Sequence, residues 1–501
     1  MIKKFGYSYE KQQEDIIDIC DKNVVLLNED KEKAIITTTG VNHVLIEGDN
    51  YACLKVLYFV LKNKPNIIYI DPPWNTGSDL PYTDTLRHSK WASMMEYRLR
   101  LAQELLADDG VIFLSIDDNE QHRLRMICDD VFKINNFIAT VVVITNKGGR
   151  SDDKFIATTH EYIHIYAKDK NLLKLNGLQL TPEQEEEYKL EDEFGRYKER
   201  NLMKTGSDSN KEDRIKMFYP IYVCPETLEI SLDEKDGWNK IEPLDSVGKE
   251  KRWRWEKKTL LNKINDVVVK KINNRWQMFE KVRLILKGHQ RTSKPLSHWD
   301  NKSFSTASGT NAMKKIIGEG NFKNPKAPAL MREVLNIASK KDSIILDFFA
   351  GSGTMGQAII ELNKDDGGQR RFIGCTNNEN GICEKACYPR LRNAINLSKS
   401  NDGLHVYRTA FSPIPQTDNE KYELFKQSVD LIKLREGCFN PNVIKEDCEI
   451  YESNGNFVVC NFEGLDENEI LEKSSVYSLS LTVRDPKPLV MPSFLIRSQN
   501  L

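Results

Sequence analysis

The stretch SIILDFFAGSGTMGQAII, residues 343–360, decides the fold class of this chain. An apolar run typical of a strand ends at Asp347, a turn follows with Gly351 and Gly353, and apolar residues at helical spacing come next. Glycines let the main chain approach a ligand closely, and a helix N-terminus offers free N–H groups to it. The stretch predicts a strand, a turn and a helix of an α/β sheet, with a ligand site at the turn.

The glycine turn alone does not identify its ligand. Gly356 completes the spacing G-x-G-x-x-G, which NAD-binding enzymes also carry, and a tight turn without any ligand has the same form. The next apolar strand, RRFIGCTNN, is followed by Glu379, about 26 residues after Gly353, where an acidic residue suits a ribose diol. The turn therefore predicts a nucleotide-like ligand and leaves its identity open.

The segments on the N-terminal side of this stretch show the same alternation of strands and helices. Strand-like runs occur at VNHVLIEGDN (41–50), NIIYID (66–71), GVIFLSID (110–117), NNFIATVVVIT (135–145) and HEYIHIYAK (160–168). Helical spacing occurs in YACLKVLYFVLKNK (51–64), in WASMMEYRLRLAQELLADDG (91–110), which Gly110 is expected to end, and in PALMREVLNIASKK (328–341). Strands that alternate with helices predict an α/β fold with a largely parallel sheet, preceded by a polar, helical lead-in over residues 1–40.

The stretch NIIYIDPPWNTG, residues 66–77, carries the second motif. Two prolines after a buried strand fix the main chain and remove its N–H donors, so that carbonyls stay free to accept hydrogen bonds. Asp71 and the Pro72 carbonyl can each accept one hydrogen of an exocyclic amine, and Trp74 can stack on the base that carries the amine. A base must leave the duplex to be reached in this way. The simpler alternative is a strand that ends at prolines, with Trp74 in the core.

D-P-P-W followed by D-F-F-A-G-S-G-T resembles the amino-methyltransferases that methylate adenine N6 or cytosine N4 in DNA. The order, with the catalytic turn before the cofactor turn, is similar to the beta class of these enzymes. DPPWNTG, KFIATTHEYIHIYAK, NFKNPKAP and RFIGCTNNENGICEKACYPR look like type III restriction-modification Mod subunits over nearly all of residues 41–395, and LIKLREGCFNPNV extends the likeness less closely. The family's DPPY is DPPW here, and the family pattern implies adenine as the target.

The resemblance implies a role for each residue that matches the family pattern. Asp71, Pro72, Pro73 and Trp74 form the catalytic turn, and no metal and no nucleophile is expected. The residues expected to bind S-adenosylmethionine are Asp49, Lys326, Asp347, Phe348, Gly351, Ser352, Gly353, Thr354 and Glu379. For Asp49, which would meet the cofactor's adenine, and for Lys326, surface charge or helix capping is the alternative.

The resemblance also divides the chain into segments. The fold class is a Rossmann-like S-adenosylmethionine-dependent methyltransferase sheet with an inserted target-recognition domain and a small C-terminal module. The expected boundaries are a lead-in at 1–40, the catalytic half at 41–169, the target-recognition domain at 170–300, the cofactor-binding half at 301–412 and the C-terminal module at 413–501, after the linker prolines Pro413 and Pro415.

Charge is distributed unevenly along a chain whose net charge is only −2. Residues 249–302 hold 16 Lys and Arg against 5 Asp and Glu, and Trp253, Trp255 and Trp276 are interleaved with them. Residues 413–501 hold 9 basic against 15 acidic residues. Because cations neutralise phosphates, the basic segment predicts contact with DNA, although a solvated helix face has the same composition.

Composition restricts the class of protein further. A hydrophobic fraction of 40% and a charged fraction of 29% are typical of a globular protein. No run approaches the roughly 18 apolar residues that cross a bilayer, and the N-terminus lacks a signal sequence, so a cytoplasmic protein without a membrane contact is expected. The 10 cysteines are scattered, and Cys375, Cys383 and Cys387 lack the spacing and the fourth ligand of a zinc site. Free thiols are expected.

The expected partners are double-stranded DNA, a second copy of the chain in a homodimer, and a separate helicase-nuclease restriction subunit, since the sequence has no G-x-x-x-x-G-K-[ST] motif. A solitary DNA methyltransferase and a catalytically silent DNA-binding protein are the main alternatives. RNA or protein methylation fits the large basic insertion less well, and a dehydrogenase would leave D-P-P-W unexplained.

Overall fold

The computed structural model describes residues 9–37, 39–76, 86–149, 153–319, 322–437, 439–444, 448–453, 456–461, 482–483 and 494–497. Residues 1–8 of the expected lead-in, Gly77 of the D-P-P-W stretch and much of the expected C-terminal module lie outside this part of the chain. Two compact units form, one from residues 1–176 and 296–501 and the other from residues 177–295.

The first unit begins with six strands and four helices. The strands are β1 (Asn23–Glu29), β2 (Asn42–Glu47), β3 (Ile67–Ile70), β4 (Val111–Ile116), β5 (Phe137–Ile144) and β6 (His160–Ala167). The helices are α1 (Asp15–Lys22), α2 (Asn50–Leu61), α3 (His88–Leu105) and α4 (Gln121–Cys128).

The second unit consists mainly of short antiparallel strands. Its strands are β7 (Leu178–Gln179), β8 (Leu190–Asp192), β9 (Gly195–Asn201), β10 (Ile221–Val223), β11 (Ile230–Ser231), β12 (Asn239–Ile241), β13 (Val267–Ile272), β14 (Arg275–Arg283), β15 (Ile285–Leu286), β16 (His289–Gln290) and β17 (Thr292–Ser293). Its helices are α5 (Pro182–Glu186) and α6 (Lys257–Asn262). The order β13-β14-β9-β8 forms the largest sheet of this unit.

The first unit then resumes with four strands and four helices and ends in a small antiparallel sheet. The strands are β18 (His298–Trp299), β19 (Ile344–Asp347), β20 (Arg371–Thr376) and β21 (Gly403–Pro413), and the helices are α7 (Thr306–Ile317), α8 (Pro328–Ala338), α9 (Thr354–Asp366) and α10 (Tyr388–Ser398). The last elements are α11 (Asp418–Gln427), α12 (Val429–Glu436), β22 (Asn440–Ile444), β23 (Cys448–Ser453), β24 (Asn456–Asn461), β25 (Thr482–Val483) and β26 (Phe494–Arg497).

A ten-stranded sheet organises the first unit, in the order β1-β21-β2-β20-β19-β3-β4-β6-β5-β18. The strands from β21 to β4 are parallel to their neighbours, as are β5 and β18, whereas β1 and β6 run antiparallel to the strands beside them. β3 and β4 are buried along their whole length, as expected of parallel strands covered on both faces. The predicted α/β fold with a largely parallel sheet is confirmed.

The sheet order brings the two motifs together. β3 and β19 are parallel neighbours, with Ile67 opposite Ile345 and Ile68 opposite Leu346. The residue that follows β3, Asp71, and the residue that ends β19, Asp347, therefore lie at the same edge of the sheet. Ligands of open α/β sheets bind at this edge, outside the carboxyl ends of the strands.

Two local predictions were wrong. The lead-in is not helical throughout, because β1 pairs antiparallel with β21 over its full length, and the apolar run of β1 extends the buried sheet. Gly110 does not end the helix either. α3 ends at Leu105, and Gly110 closes the following turn by donating from its N–H to the Ala107 carbonyl at 2.8 Å.

The tryptophans of the basic segment do not form an exposed stacking surface. Trp253 and Trp255 are buried in the core of the second unit with Tyr219 and Leu260. Trp276 packs against this core at its margin, where the Lys271 ammonium lies 5.5 Å from the ring centroid. The predicted contact of this segment with DNA therefore depends on its Lys and Arg side chains and not on Trp253 or Trp255.

No helix in the described residues is long and apolar enough to cross a membrane. Cys375, Cys383 and Cys387 are buried free thiols. Burial raises the pKa of the Cys383 thiol to about 12, so this side chain behaves as a small apolar group.

Candidate active site

The glycine turn after β19 has the left-handed backbone that its glycines allow. Gly351 has φ of 50° and Gly353 has φ of 76°, a region in which side-chain-bearing residues are strained. The Ala350 N–H donates to the Cys375 carbonyl at 3.0 Å, and the Gly353 N–H donates to the Ala350 carbonyl at 2.7 Å. Main-chain bonds to β20 therefore hold the turn at the N-terminus of α9.

A buried arginine that the sequence did not single out supports this turn from α10. Arg390 donates to Ser352 Oγ at 2.9 Å, to Thr354 Oγ1 at 2.7 Å and to Gln357 Oε1 at 2.7 Å. Burial lowers the pKa of Arg390 to about 10. Because its three acceptors are uncharged, this arginine orders the glycine turn without a carboxylate partner.

A cavity of about 370 Å³ opens at the glycine turn, a size within the range of cofactor pockets. Its lining includes the predicted residues Asp49, Asp71, Pro73, Lys326, Asp347, Phe348, Gly351, Ser352, Thr354 and Glu379, together with Asn50, Arg98, Phe349 and Thr376. Gly353 lies in the turn but not in the lining. We call this space the cofactor cavity.

Asp49 has a structural role in addition to its place in the cofactor cavity. It caps α2, where its Oδ1 accepts from the Tyr51 N–H at 2.7 Å. The Arg98 guanidinium, fully buried in α3, donates to both of its carboxylate oxygens at 3.2 and 3.4 Å. Asp49 therefore caps a helix and also lines the cavity, and the cap fixes its carboxylate at the cavity wall.

Asp347 is a buried carboxyl group at the end of β19. Burial, together with the charge of Asp71, raises the pKa of Asp347 well above its usual value, although the Phe349 N–H donates to its Oδ1 at 3.1 Å. Phe348 beside it is fully buried. This part of the cavity wall therefore combines a buried carboxyl group with a buried aromatic ring.

The D-P-P-W turn is held by its own side chains and by α3. Trp74 Nε1 donates to Asp71 Oδ1 at 3.1 Å, and Trp91 Nε1 donates to the Pro73 carbonyl at 2.7 Å. Within the described residues, no donor reaches the Pro72 carbonyl. The turn therefore leaves the carbonyl that the sequence predicted as an acceptor available to a ligand.

Asn75 fixes the C-terminal side of this turn. It has φ of 59°, its Nδ2 donates to Glu120 Oε1 at 2.8 Å, and its Oδ1 accepts from the Leu86 N–H at 2.7 Å. Glu120 is fully buried and also contacts His88 Nδ1 at 2.5 Å. Asn75 and Glu120 therefore set the direction in which the chain leaves Trp74.

A second cavity, of about 720 Å³, lies on the D-P-P-W side. Its lining includes Asp71, Pro72, Trp74 and Thr76 from the turn, Ile144, Thr158, His160 and Glu161 from β5, β6 and their connection, and Lys302, Ser305, Asn324 and Lys326. We call this space the base cavity. Asp71, Asn324 and Lys326 line both cavities, so the two meet at the Asp71 carboxylate.

Lys326 lies at this junction. Its Nζ is 3.1 Å from Asp71 Oδ1, 3.2 Å from Glu161 Oε2 and 4.0 Å from the centroid of the Trp74 ring. Burial alone would lower the pKa of Lys326, but the charges of Asp71 and Glu161 raise it above its usual value. The lysine was expected to hold the cofactor, yet its ammonium binds the carboxylate of the D-P-P-W turn.

Comparisons with known proteins show the family to which the sequence is related. The sequence matches the DNA methylase family N6_N4_Mtase over residues 66–386. It is 35% identical over 367 residues to the type III restriction-modification enzyme EcoPI Mod subunit of Escherichia phage P1, covering 66% of this chain and 57% of that protein. It is 34% identical over 362 residues to the type II methyltransferase M.KpnI of Klebsiella pneumoniae, covering 69% of this chain and 83% of that protein.

Among solved structures, the M1.HpyAVI–SAM complex is similar at 14% identity and a TM-score of 0.33, over 70% of this chain and 99% of that chain. The chain spans less than two thirds of the length of the EcoPI Mod subunit. The family match extends from β3 through the glycine turn to residue 386, just before α10, and so contains both motifs. This chain therefore belongs to the DNA methylase family.

Proposed function

We propose that this protein transfers a methyl group from S-adenosylmethionine to the N6 amine of an adenine in double-stranded DNA. The observation that carries the proposal is the meeting of the cofactor cavity and the base cavity at Asp71. A group-transfer enzyme must hold donor and acceptor in line, and two cavities that share one carboxylate supply such an arrangement.

The residues of the cofactor cavity fit S-adenosylmethionine. Glu379 after β20 suits the ribose hydroxyls, and Asp49 suits the adenine end. The glycine turn, with Asp347 beside it, accommodates the methionine end, since a Cβ at Gly351 would meet no atom closer than 3.7 Å. When bound, this cofactor supplies a methyl group that its sulfonium already activates.

The D-P-P-W turn then positions the acceptor. A flipped adenine stacks on Trp74, and its N6 amine donates one hydrogen to Asp71 and the other to the Pro72 carbonyl. Both bonds direct the nitrogen lone pair toward the cofactor cavity. When the amine nitrogen takes the methyl group, the bond between that methyl group and the cofactor's sulfur would break and leave a neutral thioether. The methylated nitrogen would then release one proton, which Asp71 Oδ1 can accept. Adenine rather than cytosine is the target that the D-P-P-W form of the turn favours.

The system in which this reaction operates is proposed from the relatives. The similarity to the EcoPI Mod subunit supports a modification subunit of a type III restriction-modification system, acting with a separate restriction subunit. We assign target recognition to the second unit, residues 177–295, which contains most of the basic segment 249–302. We further propose that the protein acts in the cytoplasm as a homodimer.

A second candidate is a methyltransferase that acts without a restriction subunit. The match to M.KpnI favours it, because this chain covers 83% of that type II methyltransferase. Both candidates use the same site and the same reaction. Copurification of a helicase-nuclease subunit with the tagged protein from its native cells would distinguish the first from the second.

The test is to incubate the purified protein with unmethylated DNA and S-adenosylmethionine, digest the DNA, and identify modified nucleosides by mass spectrometry. We expect N6-methyladenine from the wild-type protein and a loss of at least about a thousandfold in Asp71→Ala, since this carboxylate orients the amine. The variant should retain cofactor affinity, measured by calorimetry. N4-methylcytosine would overturn the base assignment, and the absence of any modified base would overturn the activity.

A further inference from the structure

Lys326 occupies the place that the target amine needs. Its ammonium is 3.1 Å from Asp71 Oδ1 and 4.0 Å from the centroid of the Trp74 ring. The ammonium thus takes the Asp71 oxygen that the N6 amine would donate to, and it covers the Trp74 face on which the adenine ring would stack. An adenine that enters the base cavity must therefore displace this ammonium from both groups.

A displaced ammonium needs another partner, because a buried charge without one is strongly destabilising. The side chain of Lys326 is only 13% exposed, so bulk water does not supply that partner. Glu161 on β6 does: its Oε2 already lies 3.2 Å from Lys326 Nζ, and its side chain is 5% exposed.

Glu161 also has one carboxylate oxygen that is available to accept a hydrogen bond. Its Oε1 is buried and has no hydrogen-bond partner among the described residues. Burial raises the pKa of Glu161 even though Lys326 lies beside it. A buried acceptor that is half satisfied calls for a further donor, and Lys326, which already donates to the other oxygen at 3.2 Å, is a donor beside it.

The backbone of Lys326 permits a pivot of the side chain only. α7 packs directly on this segment, since a Cβ added at Gly309 would lie 2.0 Å from the Pro325 carbonyl oxygen. This close packing leaves the main chain little room, whereas the four-carbon stem of lysine can swing between two acceptors.

We propose that Glu161 is a positioning residue of the base site, which draws Lys326 away from Asp71 when the target base enters. In the empty site, Lys326 is shared between Asp71 and Glu161 and covers Trp74. In the occupied site, Lys326 pairs with both oxygens of Glu161, and Asp71 and Trp74 receive the adenine. This inference rests on the proposed function, because it takes the occupant of the base cavity to be a flipped base.

The experiment compares Glu161→Gln with the double variant Glu161→Gln/Lys326→Met. In the single variant, Asp71 is the remaining carboxylate for Lys326, so the site is open for a smaller fraction of the time. We expect about tenfold weaker apparent binding of the flipped base, with cofactor affinity unchanged. The double variant has no ammonium to displace, and we expect most of the loss to be recovered.

Base flipping is read directly, with the target position first mapped from the DNA that the wild-type protein methylates. 2-Aminopurine is placed beside the target adenine, where its fluorescence rises when that adenine leaves the stack. The KM for DNA and kcat are measured on the same duplex, and the loss should appear in KM. Glu96→Gln, which removes another buried carboxylate outside both cavities, is the matched control and should leave flipping unchanged.

Recovery of flipping in the double variant supports the inference. If the double variant flips the base no better than Glu161→Gln, Lys326 does not compete with the base and the inference is wrong. Equal losses of flipping, cofactor affinity and thermal stability in Glu161→Gln would show a merely structural role and also overturn it. Failure of the wild-type protein to methylate DNA is a separate result, which overturns the proposed function.

Discussion

The two cavities meet at one carboxylate but are built from different interactions. At the cofactor cavity, the glycine turn is held by main-chain hydrogen bonds and by hydrogen bonds that the buried Arg390 donates to uncharged side chains. At the base cavity, Lys326 Nζ lies 3.1 Å from Asp71 Oδ1 and 3.2 Å from Glu161 Oε2, so one ammonium joins two carboxylates. One wall is fixed by backbone geometry, and the other by ion pairs.

This difference corresponds to what each cavity must do. A glycine turn with left-handed residues has a single arrangement that satisfies its hydrogen bonds, so it is suited to a cofactor that returns in the same pose. An ion-pair cluster can exchange partners without leaving a charge unpaired. It is therefore suited to a base that must enter from a duplex and leave again.

The largest effect is expected when the hydrogen bonds that support the glycine turn are removed. Arg390→Met leaves Ser352 Oγ, Thr354 Oγ1 and Gln357 Oε1 without their buried donor. We expect a loss of about 3 kcal/mol in the free energy of unfolding, measured in urea, and about a hundredfold weaker binding of S-adenosylmethionine by calorimetry.

Arg392→Met is the matched control, because Arg392 lies on the same helix and is exposed. It should change neither quantity measurably. An Arg390→Met protein that binds the cofactor as tightly as the wild type would contradict the assignment of this arginine to the glycine turn.

A second prediction tests the other wall. Trp74→Ala removes the stacking surface of the base cavity, whereas Trp74→Phe keeps a ring and loses only the N–H donated to Asp71. We expect kcat/KM for DNA to fall about 10- to 100-fold in the alanine variant and much less in the phenylalanine variant. Cofactor affinity should be unchanged in both. Equal losses in the two variants would show that the N–H bond, not stacking, is what matters.

The smallest effect is expected at the edge of the ten-stranded sheet, outside both cavities. Glu29 on β1 contacts His405 Nδ1 at 2.6 Å and Lys433 Nζ at 2.9 Å. Burial alone would raise the pKa of Glu29, but these two partners lower it to about 2. A carboxyl group whose pKa is lowered in the folded protein stabilises the fold at pH values above its ordinary pKa. This stability is lost as the pH falls from about 4.5 toward about 2.

Glu29→Gln should therefore cost about 1–2 kcal/mol of unfolding free energy at pH 7. The difference from the wild type should shrink as the pH falls through this window, measured by urea unfolding at several pH values. If the difference stays constant with pH, Glu29 does not keep its charge in the fold. If enzymatic activity is lost at a higher pH than the pH at which the protein unfolds in acid, that loss arises from groups in the two cavities.

The sequence was sufficient for the fold class because its strongest signals are local. The run before Asp347 and the run before Asp71 each read as a buried strand, and both lie in the parallel part of the sheet. β1 was missed because Val24–Leu27 is a short apolar run inside a polar lead-in, and its partner β21 is nearly 400 residues away. A pairing at such a distance has no local signature.

The supporting residues of the site were missed for a related reason. Arg390, Glu120 and Glu161 are charged side chains in otherwise ordinary helical or strand-like segments, and their burial depends on elements far away in sequence. The burial of Trp253 was not predicted either, because the lysines and arginines around it in the sequence give no sign that it lies in the core of the second unit. The spacing of residues in the sequence identifies the two turns. Which charged side chains support those turns depends on how distant elements pack together.

The adjacency of β3 and β19 has a consequence for how the chain is made. Asn66 Oδ1 accepts from the Ile344 N–H although 278 residues separate them. At a synthesis rate of about 5–20 residues per second, the ribosome takes on the order of 15–55 s to deliver β19 after β3 has emerged. During that interval an apolar strand of the nascent protein has an open edge, a hazard for aggregation that chaperones have time to cover.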